Sequence, residues 1–371
     1  MTQATQKPPS QKYMTFLSQL LLAPRDSSKS RDAQMEPLKA QLISMTRAEF
    51  EELLDLANSN HVIVRGMEIA LELMREAKDE THAAWAEAAL DVERARISTA
   101  LKFLGEICAA FEQERYDVAV IKSLDHWPDL GSDLDLYSNA APDDITRLMK
   151  RRFNAEVAPR SWGDRLAQKK NFTIPGLPEA VEIHMGRLGQ TGEQVAIASR
   201  LSQRTRRVVV GNQEFRVTSS SDRILISTLQ RMYRHFYFRL CDVVDSAALA
   251  DSGGIDYEDL REAAKLAGIW EGTATYLVIV SDYVRKYRGS GLDLPQFVLA
   301  EARFGGEQIY YAKEFLRVPI MPQSAKLYGS QLAGLLRKRE IENGARLSLL
   351  PWLATAALVG QKITGSDKGI W

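Results

Sequence analysis

The sequence predicts an α+β protein, with a small mixed β-sheet core between an N-terminal and a C-terminal helical region. Apolar residues recur at intervals of three and four in the first and last parts of the chain, as in helices that bury one face. Between them, short runs rich in Val and Ile indicate strands. The 371 residues, 45% hydrophobic and 26% charged, suffice for two or three domains. We place the boundaries at 1–35 (partly disordered), 36–100 (helical), 101–218 (the α/β core) and 219–371 (helical).

The charge balance restricts the class of partner. Lys and Arg together number 48, as do Asp and Glu, so the formal net charge is zero. Coating of nucleic acid through bulk charge is therefore disfavoured, whereas local basic patches remain open. Two such patches comprise Arg151, Arg152, Arg160, Arg165, Lys169 and Lys170, and then Arg200, Arg204, Arg206 and Arg207. They either attract a nucleotide or an acidic acceptor or, more simply, form solvated surface.

Three observations favour a cytoplasmic protein without a transmembrane segment. Cys108 and Cys241 each lie in an apolar helical pattern, which favours buried thiols in a reducing compartment over a disulfide framework. The N-terminus lacks a charged-then-apolar signal pattern. The most apolar late segment, Leu347–Val359, contains Pro351 and is too short to span a bilayer. We expect a buried helix there, with a helix on a membrane surface as the alternative.

The N-terminal region predicts a series of helices. Within the first segment, Tyr13–Leu22 could form a short docking helix. Thr46 and Glu49 have the spacing of a capping box and predict a helix that continues through Leu56. From there to Gln113, apolar stripes at helical spacing predict surfaces that face the core.

The α/β core begins near residue 116. Val118–Ile121 is a short apolar run that predicts a buried strand. Pro142–Arg152 predicts a helix, because proline suits the first helical position and two aspartates follow it in the first turn. Arg207–Val210 and Gln213–Val217 flank Gly211-Asn212 and predict a two-residue β-hairpin. Further strand candidates are Phe153–Val157, Asn171–Ile174 and Ala180–Met185.

The pattern is helical again from Ser219 onward. One long helix is predicted, with an apolar face formed by Leu225, Leu229, Met232, Phe236, Leu240 and Val243. A polar stripe at spacings of three and four comprises Arg231, His235, Arg239, Asp242 and Ser246. This stripe is either a solvated, ion-paired surface or a wall over a catalytic cleft where Arg and His hold phosphates. Gly253-Gly254 marks a break, and further helices are predicted through Tyr311 and after Gln323.

Three carboxylates define the candidate site. Asp133 and Asp135 alternate with leucines, so on a strand they share one face, roughly 6.6 Å apart along the chain. Glu182 lies in a second strand, where His184 shares its face. Acidic groups held together repel one another unless a cation lies between them, and hard oxygen ligands suit Mg²⁺ or Mn²⁺. Two such ions can activate an attacking oxygen and stabilise a leaving phosphate oxygen.

The neighbours of the acidic pair favour phosphate binding. Gly131 lets the backbone come close to a ligand, and the Ser132 hydroxyl can hold a phosphate oxygen. Lys122 ends the first apolar strand, where its ammonium can reach a phosphate. His184 can orient Glu182 through a hydrogen bond. The simpler alternative is that an Asp-x-Asp at a strand end is a solvated edge or turn.

In their order along the chain, these features resemble the nucleotidyltransferase superfamily that includes DNA polymerase beta. They resemble more closely the bacterial group labelled uncharacterised nucleotidyltransferase. That group has a Leu-Lys-Gly-like strand end, an Asp-x-Asp, a hydrophobic–acid–hydrophobic–His strand, and a helix with a central His and a late Asp. The matching residues are Ile121-Lys122-Ser123, Asp133-Leu134-Asp135, Val181-Glu182-Ile183-His184, and His235 with Asp242. The match covers roughly residues 100–250.

The resemblance implies a nucleotidyltransferase core that uses Mg²⁺ or Mn²⁺ and a nucleoside triphosphate. Asp133 and Asp135 would be metal ligands, and Glu182 would be a third ligand or the base that receives the acceptor proton. The implied nucleotide-binding set is Lys122, Ser123, Gly131, Ser132, His184 and His235. The sequence departs from the superfamily at Lys122, where the first Gly of a Gly-Ser turn is usual, and the lysine could serve as a phosphate cation.

The leading hypothesis for function is transfer of a nucleoside monophosphate, with ATP as the expected donor, to an acceptor. The acceptor could be a small hydroxylated molecule, a protein side chain or an RNA end, although zero net charge and the lack of a recognisable RNA module disfavour RNA. A second hypothesis is a catalytically weak or inactive nucleotide- or metal-binding protein that regulates a partner protein, since Lys122 and the large helical flanks fit that role. A third is a helical scaffold with an incidental α/β insert.

Overall fold

The computed structural model describes residues 9–23, 28–353 and 355–356. They form an α+β fold with a mixed sheet between helical regions, which confirms the predicted class. The helices are α1 (Pro9–Leu22), α2 (Ser28–Ile43), α3 (Arg47–Ser59), α4 (Ile63–Glu76), α5 (Glu80–Gln113), α6 (Pro142–Phe153), α7 (Trp162–Leu166), α8 (Val195–Gln203), α9 (Ser220–Thr228), α10 (Leu240–Asp251), α11 (Tyr257–Leu266), α12 (Trp270–Arg288), α13 (Gln296–Glu301), α14 (Ala325–Arg337) and α15 (Ile341–Ser348). The strands are β1 (Val118–Val120), β2 (Asp133–Ser138), β3 (Glu156–Val157), β4 (Lys169–Ile174), β5 (Leu177–Met185), β6 (Thr205–Val210), β7 (Gln213–Thr218), β8 (Tyr237–Phe238), β9 (Tyr310–Ala312) and β10 (Phe315–Arg317).

The N-terminal helices follow the sequence patterns. α1 contains the predicted docking helix, and Phe16 and Leu17 are fully buried. At the start of α3, the Glu49 N–H donates to Thr46 Oγ1 (3.3 Å) and the Thr46 N–H donates to Glu49 Oε2 (2.9 Å), which is the predicted capping box. The prediction of partial disorder within residues 1–35 concerns positions outside the described ranges.

The main sheet has seven strands in the order β3-β4-β5-β2-β1-β7-β6. β2 pairs in parallel with β5, and β1 with β7, while the other neighbours are antiparallel. The predicted hairpin is confirmed as β6 and β7. The strand predicted at Phe153–Val157 is shorter than expected, because α6 continues to Phe153 and ends at Asn154 in a left-handed conformation (φ 49°).

Side chains of the central strands β2 and β5 alternate between the buried core and the face that carries the candidate site. Leu134 and Leu136 of β2, and Val181 and Ile183 of β5, are each 0% exposed. Burial of each such side chain stabilises the fold by roughly 1.5–3 kcal/mol. The acidic residues between them therefore emerge together on the opposite face. The 34-residue helix α5 packs against β1, β5 and β7 and supports this part of the sheet.

The prediction of a single long helix after residue 219 is wrong. α9 gives way to a π-helical turn at Leu229–Arg234, in which the His235 N–H donates to the Gln230 carbonyl (2.8 Å). Phe236 then takes a φ of 54°, which an α-helix does not contain, and strand β8 follows before α10 begins. The cause is tertiary, because β8 pairs with β10 in a second sheet of order β8-β10-β9.

The helices predicted through Tyr311 are also wrong in part, since β9 begins at Tyr310 and β10 follows it just beyond that segment. Lys313 and Glu314 join them with φ values of 49° and 66°, the backbone signature of a tight hairpin turn. The Phe315 ring stacks on Tyr237 of β8, with centroids 4.3 Å apart. Aromatic pairing of this kind stabilises neighbouring strands.

The late apolar segment differs from its prediction within the described residues. Leu347 is buried, but Leu349 and Trp352 are 41% and 76% exposed, so a buried helix is wrong for this part of Leu347–Val359. Position 354 and positions 357–359 of the segment lie outside the described residues. Among the helices that the structure describes, none combines the length and apolar character needed to cross a bilayer. Cys108 and Cys241 are both buried and free.

Candidate active site

Sheet register brings the predicted carboxylates together. Asp135 in β2 and Glu182 in β5 are directly paired, and Asp133 lies two residues earlier on the same face. His184 Nε2 is 2.8 Å from Glu182 Oε1 and 3.8 Å from Asp135 Oδ1. The parallel pairing of two strands that are distant in sequence therefore creates an acidic cluster with an adjacent imidazole.

Lys122 has a backbone conformation that favours glycine. Its φ is 62° and its ψ is −56°, and the Ser123 N–H donates across it to the Ile121 carbonyl (2.6 Å), which closes a γ-turn. A strained conformation of this kind costs roughly 1–3 kcal/mol. Glycine would adopt this conformation without that strain. A lysine at this position therefore calls for an explanation through its side chain.

The Lys122 ammonium lies between the carboxylates. Its Nζ contacts Asp135 Oδ1 and is 3.4 Å from Glu182 Oε1. Lys169 Nζ is 2.6 Å from the other Glu182 oxygen. Although burial raises it, the pKa of Glu182 is held well below its usual range by Lys122, His184 and Lys169. The sequence predicted a phosphate contact for Lys122, whereas in the structure this side chain neutralises the acidic pair.

Asp133 differs from the other two carboxylates. It is the most exposed of the three residues, and among the described residues its carboxylate accepts a hydrogen bond from the Ser132 hydroxyl (3.5 Å). Partial burial raises the pKa of Asp133, and the charges of Asp135 and Glu182 raise it further. A carboxylate with a raised pKa accepts a proton at neutral pH better than one with a depressed pKa. Asp133 therefore fits the base role better than Glu182, to which the sequence assigned it.

The Ser123 side chain links the γ-turn to strand β2 by hydrogen bonds. Its hydroxyl donates to the Asp133 carbonyl (3.1 Å) and accepts from the Asp135 N–H (2.7 Å), and the residue is 2% exposed. Because the hydroxyl is already engaged with backbone, this geometry favours a positioning role over the direct phosphate contact predicted from the sequence.

The acidic cluster opens onto a cavity of about 180 Å³. Eight of the nine predicted site residues line it, namely Lys122, Ser123, Gly131, Ser132, Asp133, Asp135, Glu182 and His235. The ninth, His184, borders a neighbouring cavity and touches Glu182. At Gly131 a Cβ atom would lie 3.3 Å from His61 Nδ1, so glycine suits this close approach.

A cationic wall faces the carboxylates across this cavity. Arg231, Arg234 and Arg239 line it together with His235. Arg231 is paired with Asp242 (2.7 Å). Among the described residues, no carboxylate forms an ion pair with the guanidinium group of Arg234 or Arg239, although the Arg239 backbone N–H donates to Asp242 (2.7 Å). Three of the five residues of the predicted polar stripe, Arg231, His235 and Arg239, thus line the cavity, whereas Asp242 and Ser246 are buried. The break after α9, not a continuous helix, places these three. Arg234 is a member that the stripe omitted.

The pKa of His235 reflects the positive charges of this wall. Burial lowers its pKa, and the charges of Arg234, Arg231, Arg239 and Lys122 lower it further, to well below the usual value. Lys122 and Arg231 are ion-paired with carboxylates, so among the described residues Arg234 and Arg239 supply the uncompensated positive charge that attracts anions here.

A buried ion-pair network fixes the loop between β1 and β2. Arg65 of α4 donates to Asp129 Oδ2 (2.7 Å) and to Asp245 Oδ1 (2.6 Å). His126 Nδ1 lies 2.5 Å from the second Asp245 oxygen. Although burial lowers it, the pKa of His126 is raised well above its usual value by Cys241 and Asp245. The network holds this side of the cavity against α4 and α10.

Lys169 is the site residue that the sequence placed only in a basic patch. It pairs with His184 in the register of β4 and β5, so strand alternation identifies it once that pairing is known. Other members of the basic patches form ion pairs with nearby carboxylates, namely Arg151, Arg200, Arg204 and Arg207.

The donor set at the cluster fits a divalent cation. One ligand atom each from Asp135, Glu182 and His184 lies within 4.8 Å of the others. The two carboxylates are hard oxygen ligands suited to Mg²⁺, and Asp133 adds a third beside them. The Lys122 ammonium contacts two of these ligands, so a metal and this ammonium would compete for the same oxygens.

No protein-family model matches the chain, and no curated protein matches it significantly. The class of the fold is α+β. The function is therefore inferred from the geometry of the acidic cluster and the cationic wall.

Proposed function

We propose that the protein is a Mg²⁺-dependent nucleotidyltransferase that moves a nucleoside monophosphate, with AMP from ATP as the first candidate, to a hydroxyl acceptor on a small molecule or a protein. The observation that supports this most directly is the pairing of Asp135 with Glu182, with Asp133 on the same face. Cation ligands on one side and guanidinium donors on the other match the two needs of a metal-bound triphosphate.

The roles of the residues follow from their charges. Mg²⁺ held by Asp133, Asp135 and Glu182 would neutralise phosphate charge. Arg234 and Arg239 hold phosphate oxygens through charge-assisted hydrogen bonds. The acceptor oxygen forms a bond to the α-phosphorus, the bond from that phosphorus to the pyrophosphate oxygen breaks, and pyrophosphate leaves with the electron pair. The acceptor proton passes to the Asp133 carboxylate, which lines the cavity.

Label transfer tests the proposal. With ATP labelled at the α-phosphorus, Mg²⁺ and a panel of hydroxyl acceptors, we expect a labelled product, and Asp135→Asn should lower its rate by at least about 100-fold. Asp143→Asn is the matched control, because Asp143 is 96% exposed and lies outside the cavity. Equal rates for the two variants would contradict the proposal.

A second candidate is a catalytically weak or inactive protein that binds nucleotide and regulates a partner. Lys122 favours it, because its ammonium contacts both Asp135 and Glu182 and can replace a metal there. Nucleotide binding without label transfer to any acceptor, and unchanged in Asp135→Asn, would favour this second candidate.

A further inference from the structure

A second cavity, of about 430 Å³, adjoins the acidic cluster. His61, Gly131, Ser132 and Arg239 line both cavities. A molecule in the second cavity would therefore lie next to Asp133, which follows Ser132 and borders the first. The additional volume exceeds that of the cavity that holds the carboxylates.

Three carboxylates and two guanidinium groups line the second cavity, and one carboxylate oxygen among them is unsatisfied within the described part of the chain. Arg96 donates to both oxygens of Glu93 (2.9 and 2.6 Å) and to Glu179 Oε1 (2.5 Å). Asp129 is satisfied by Arg65 (2.7 Å). Glu179 is 5% exposed, and its Oε2 has no hydrogen-bond partner among the described residues.

A buried carboxylate oxygen without a donor is unfavourable, so it marks a place where a ligand can supply one. His61 Nδ1 is a second unpartnered atom in the same lining, again among the described residues. Burial and the charge of Arg239 depress the pKa of His61, so its imidazole is neutral and suits a hydroxyl group. The cavity thus presents one charged and one neutral hydrogen-bonding position.

We propose that this second cavity is the acceptor site and that it binds a small hydroxylated molecule with an amine, whose ammonium donates to Glu179 Oε2. Charge-assisted hydrogen bonds of this kind are stronger than neutral ones, and the Glu179 carboxylate repels an acidic group placed beside it. The assignment as acceptor site rests on the proposed function. A hydroxyl oxygen of the bound molecule attacks the α-phosphorus, its proton passes to Asp133, and pyrophosphate departs with the electron pair.

A matched series of hexoses tests the preference without catalysis. Glucosamine, glucose and glucuronate share one ring and differ in carrying a positive, a neutral or a negative substituent. By saturation-transfer NMR we expect glucosamine to bind at least about tenfold more tightly than glucose, and glucuronate to bind most weakly. Equal affinities, tightest binding of glucuronate, or no detectable binding of glucosamine would overturn the proposal.

Two variants locate the preference. Glu179→Gln should abolish the advantage of glucosamine over glucose, because it removes the free carboxylate oxygen. Glu93→Gln removes the same charge beside Arg96 but leaves that oxygen in place, so the order of affinities should persist. A preference that survives in Glu179→Gln, with folding verified by circular dichroism, would overturn the assignment. If either variant fails to fold, the comparison of the three hexoses with the wild-type protein still tests the proposal.

The same samples separate this inference from the proposed function. If glucosamine binds through Glu179 but no label moves from ATP to any acceptor, the amine site stands and the transferase proposal fails. If label moves to acceptors without an amine as readily as to amino-hydroxyl compounds, the transferase proposal stands and the amine site fails.

Discussion

At the scale of the residue, Lys122 combines a strained backbone with a buried charge. Glycine would relieve the positive φ. It would also remove the ammonium that contacts Asp135 and approaches Glu182. Two like charges about 4 Å apart repel by roughly 4 kcal/mol at an effective dielectric constant of 20, so the two carboxylates would then need another cation. The Lys122 ammonium therefore reduces the repulsion between the two carboxylates, although the backbone of this residue is strained.

Lys122→Gly should bind Mg²⁺ at least about tenfold more tightly than the wild type, because the competing ammonium is gone. Isothermal titration calorimetry without nucleotide measures the two affinities. Lys78→Gly is the matched control, since Lys78 also has a positive φ of 57° but does not line the cavity. Unchanged Mg²⁺ affinity in Lys122→Gly would show that the ammonium does not occupy the place of a cation.

His61 should make stability sensitive to acid. Burial and Arg239 depress its pKa in the folded protein, whereas in the unfolded chain the pKa is about 6.5. Below that pH the unfolded state binds a proton that the folded state does not. This contribution to stability is therefore complete above about pH 6.5 and declines as pH falls toward the folded pKa.

At about pH 5.5, the free energy of unfolding should be lower by about 1.4 kcal/mol because of His61 alone. Urea unfolding of the wild type and of His61→Gln at neutral and mildly acidic pH measures this loss. The variant lacks the titrating imidazole. Between neutral pH and about pH 5.5, its free energy of unfolding should therefore fall by about 1.4 kcal/mol less than that of the wild type. Equal acid sensitivity of the two proteins would contradict the prediction.

At the scale of the element, the π-helical turn Leu229–Arg234 determines what the cavity wall presents. A π-helical turn rotates the side chains that follow it relative to an α-helix, and such turns are frequent at functional sites. Here the turn and strand β8 together bring Arg234, His235 and Arg239 to one cavity. In a continuous α-helix His235 and Arg239 would still share one face, but Arg234 would point about 100° away from His235.

Arg234→Ala should weaken binding of pyrophosphate by about 10- to 100-fold, because a charge-assisted hydrogen bond contributes roughly 1.5–3 kcal/mol. Calorimetry measures this affinity. Arg206→Ala is the control, since Arg206 is an exposed residue of β6 outside the cavity. Equal losses in the two variants would indicate non-specific attraction by surface charge.

At the scale of the whole molecule, α1 joins the two helical regions. It packs against α3 and α4 on one side and against α10 and α12 on the other. Leu17 is fully buried there, and the hydroxyls of Ser18 and Tyr283 lie 2.7 Å apart. Because α1 contacts helices of both regions, these regions are expected to unfold together.

Leu17→Ala should lower the free energy of unfolding by about 2–5 kcal/mol, because it leaves a cavity in the core. Urea unfolding followed by fluorescence and by circular dichroism measures the change and should show one coincident transition. Leu299→Ala removes the same atoms at a position that is 47% exposed, and it should have a much smaller effect. Two separate transitions would mean that α1 does not couple the regions.

Prediction from the sequence succeeded where a local pattern determines the structure. The Thr46–Glu49 cap, the hairpin around Gly211 and the alternation of Asp133 and Asp135 with buried leucines all depend on neighbours in the sequence. It failed after residue 219, where helical spacing is present but pairing of β8 with β10 outweighs it. That pairing joins segments about 80 residues apart, and no local pattern reports it.

The sequence by itself determined that the chain is α+β and that Asp133, Asp135 and Glu182 each lie on the polar face of a strand, because side-chain alternation is a property of the strand alone. Only the tertiary structure decided that Asp135 stands beside Glu182, that Lys122 and Lys169 neutralise them, and that Arg234 faces them. Register between strands and the path of a broken helix depend on long-range packing, which is why these charges meet only in the folded chain.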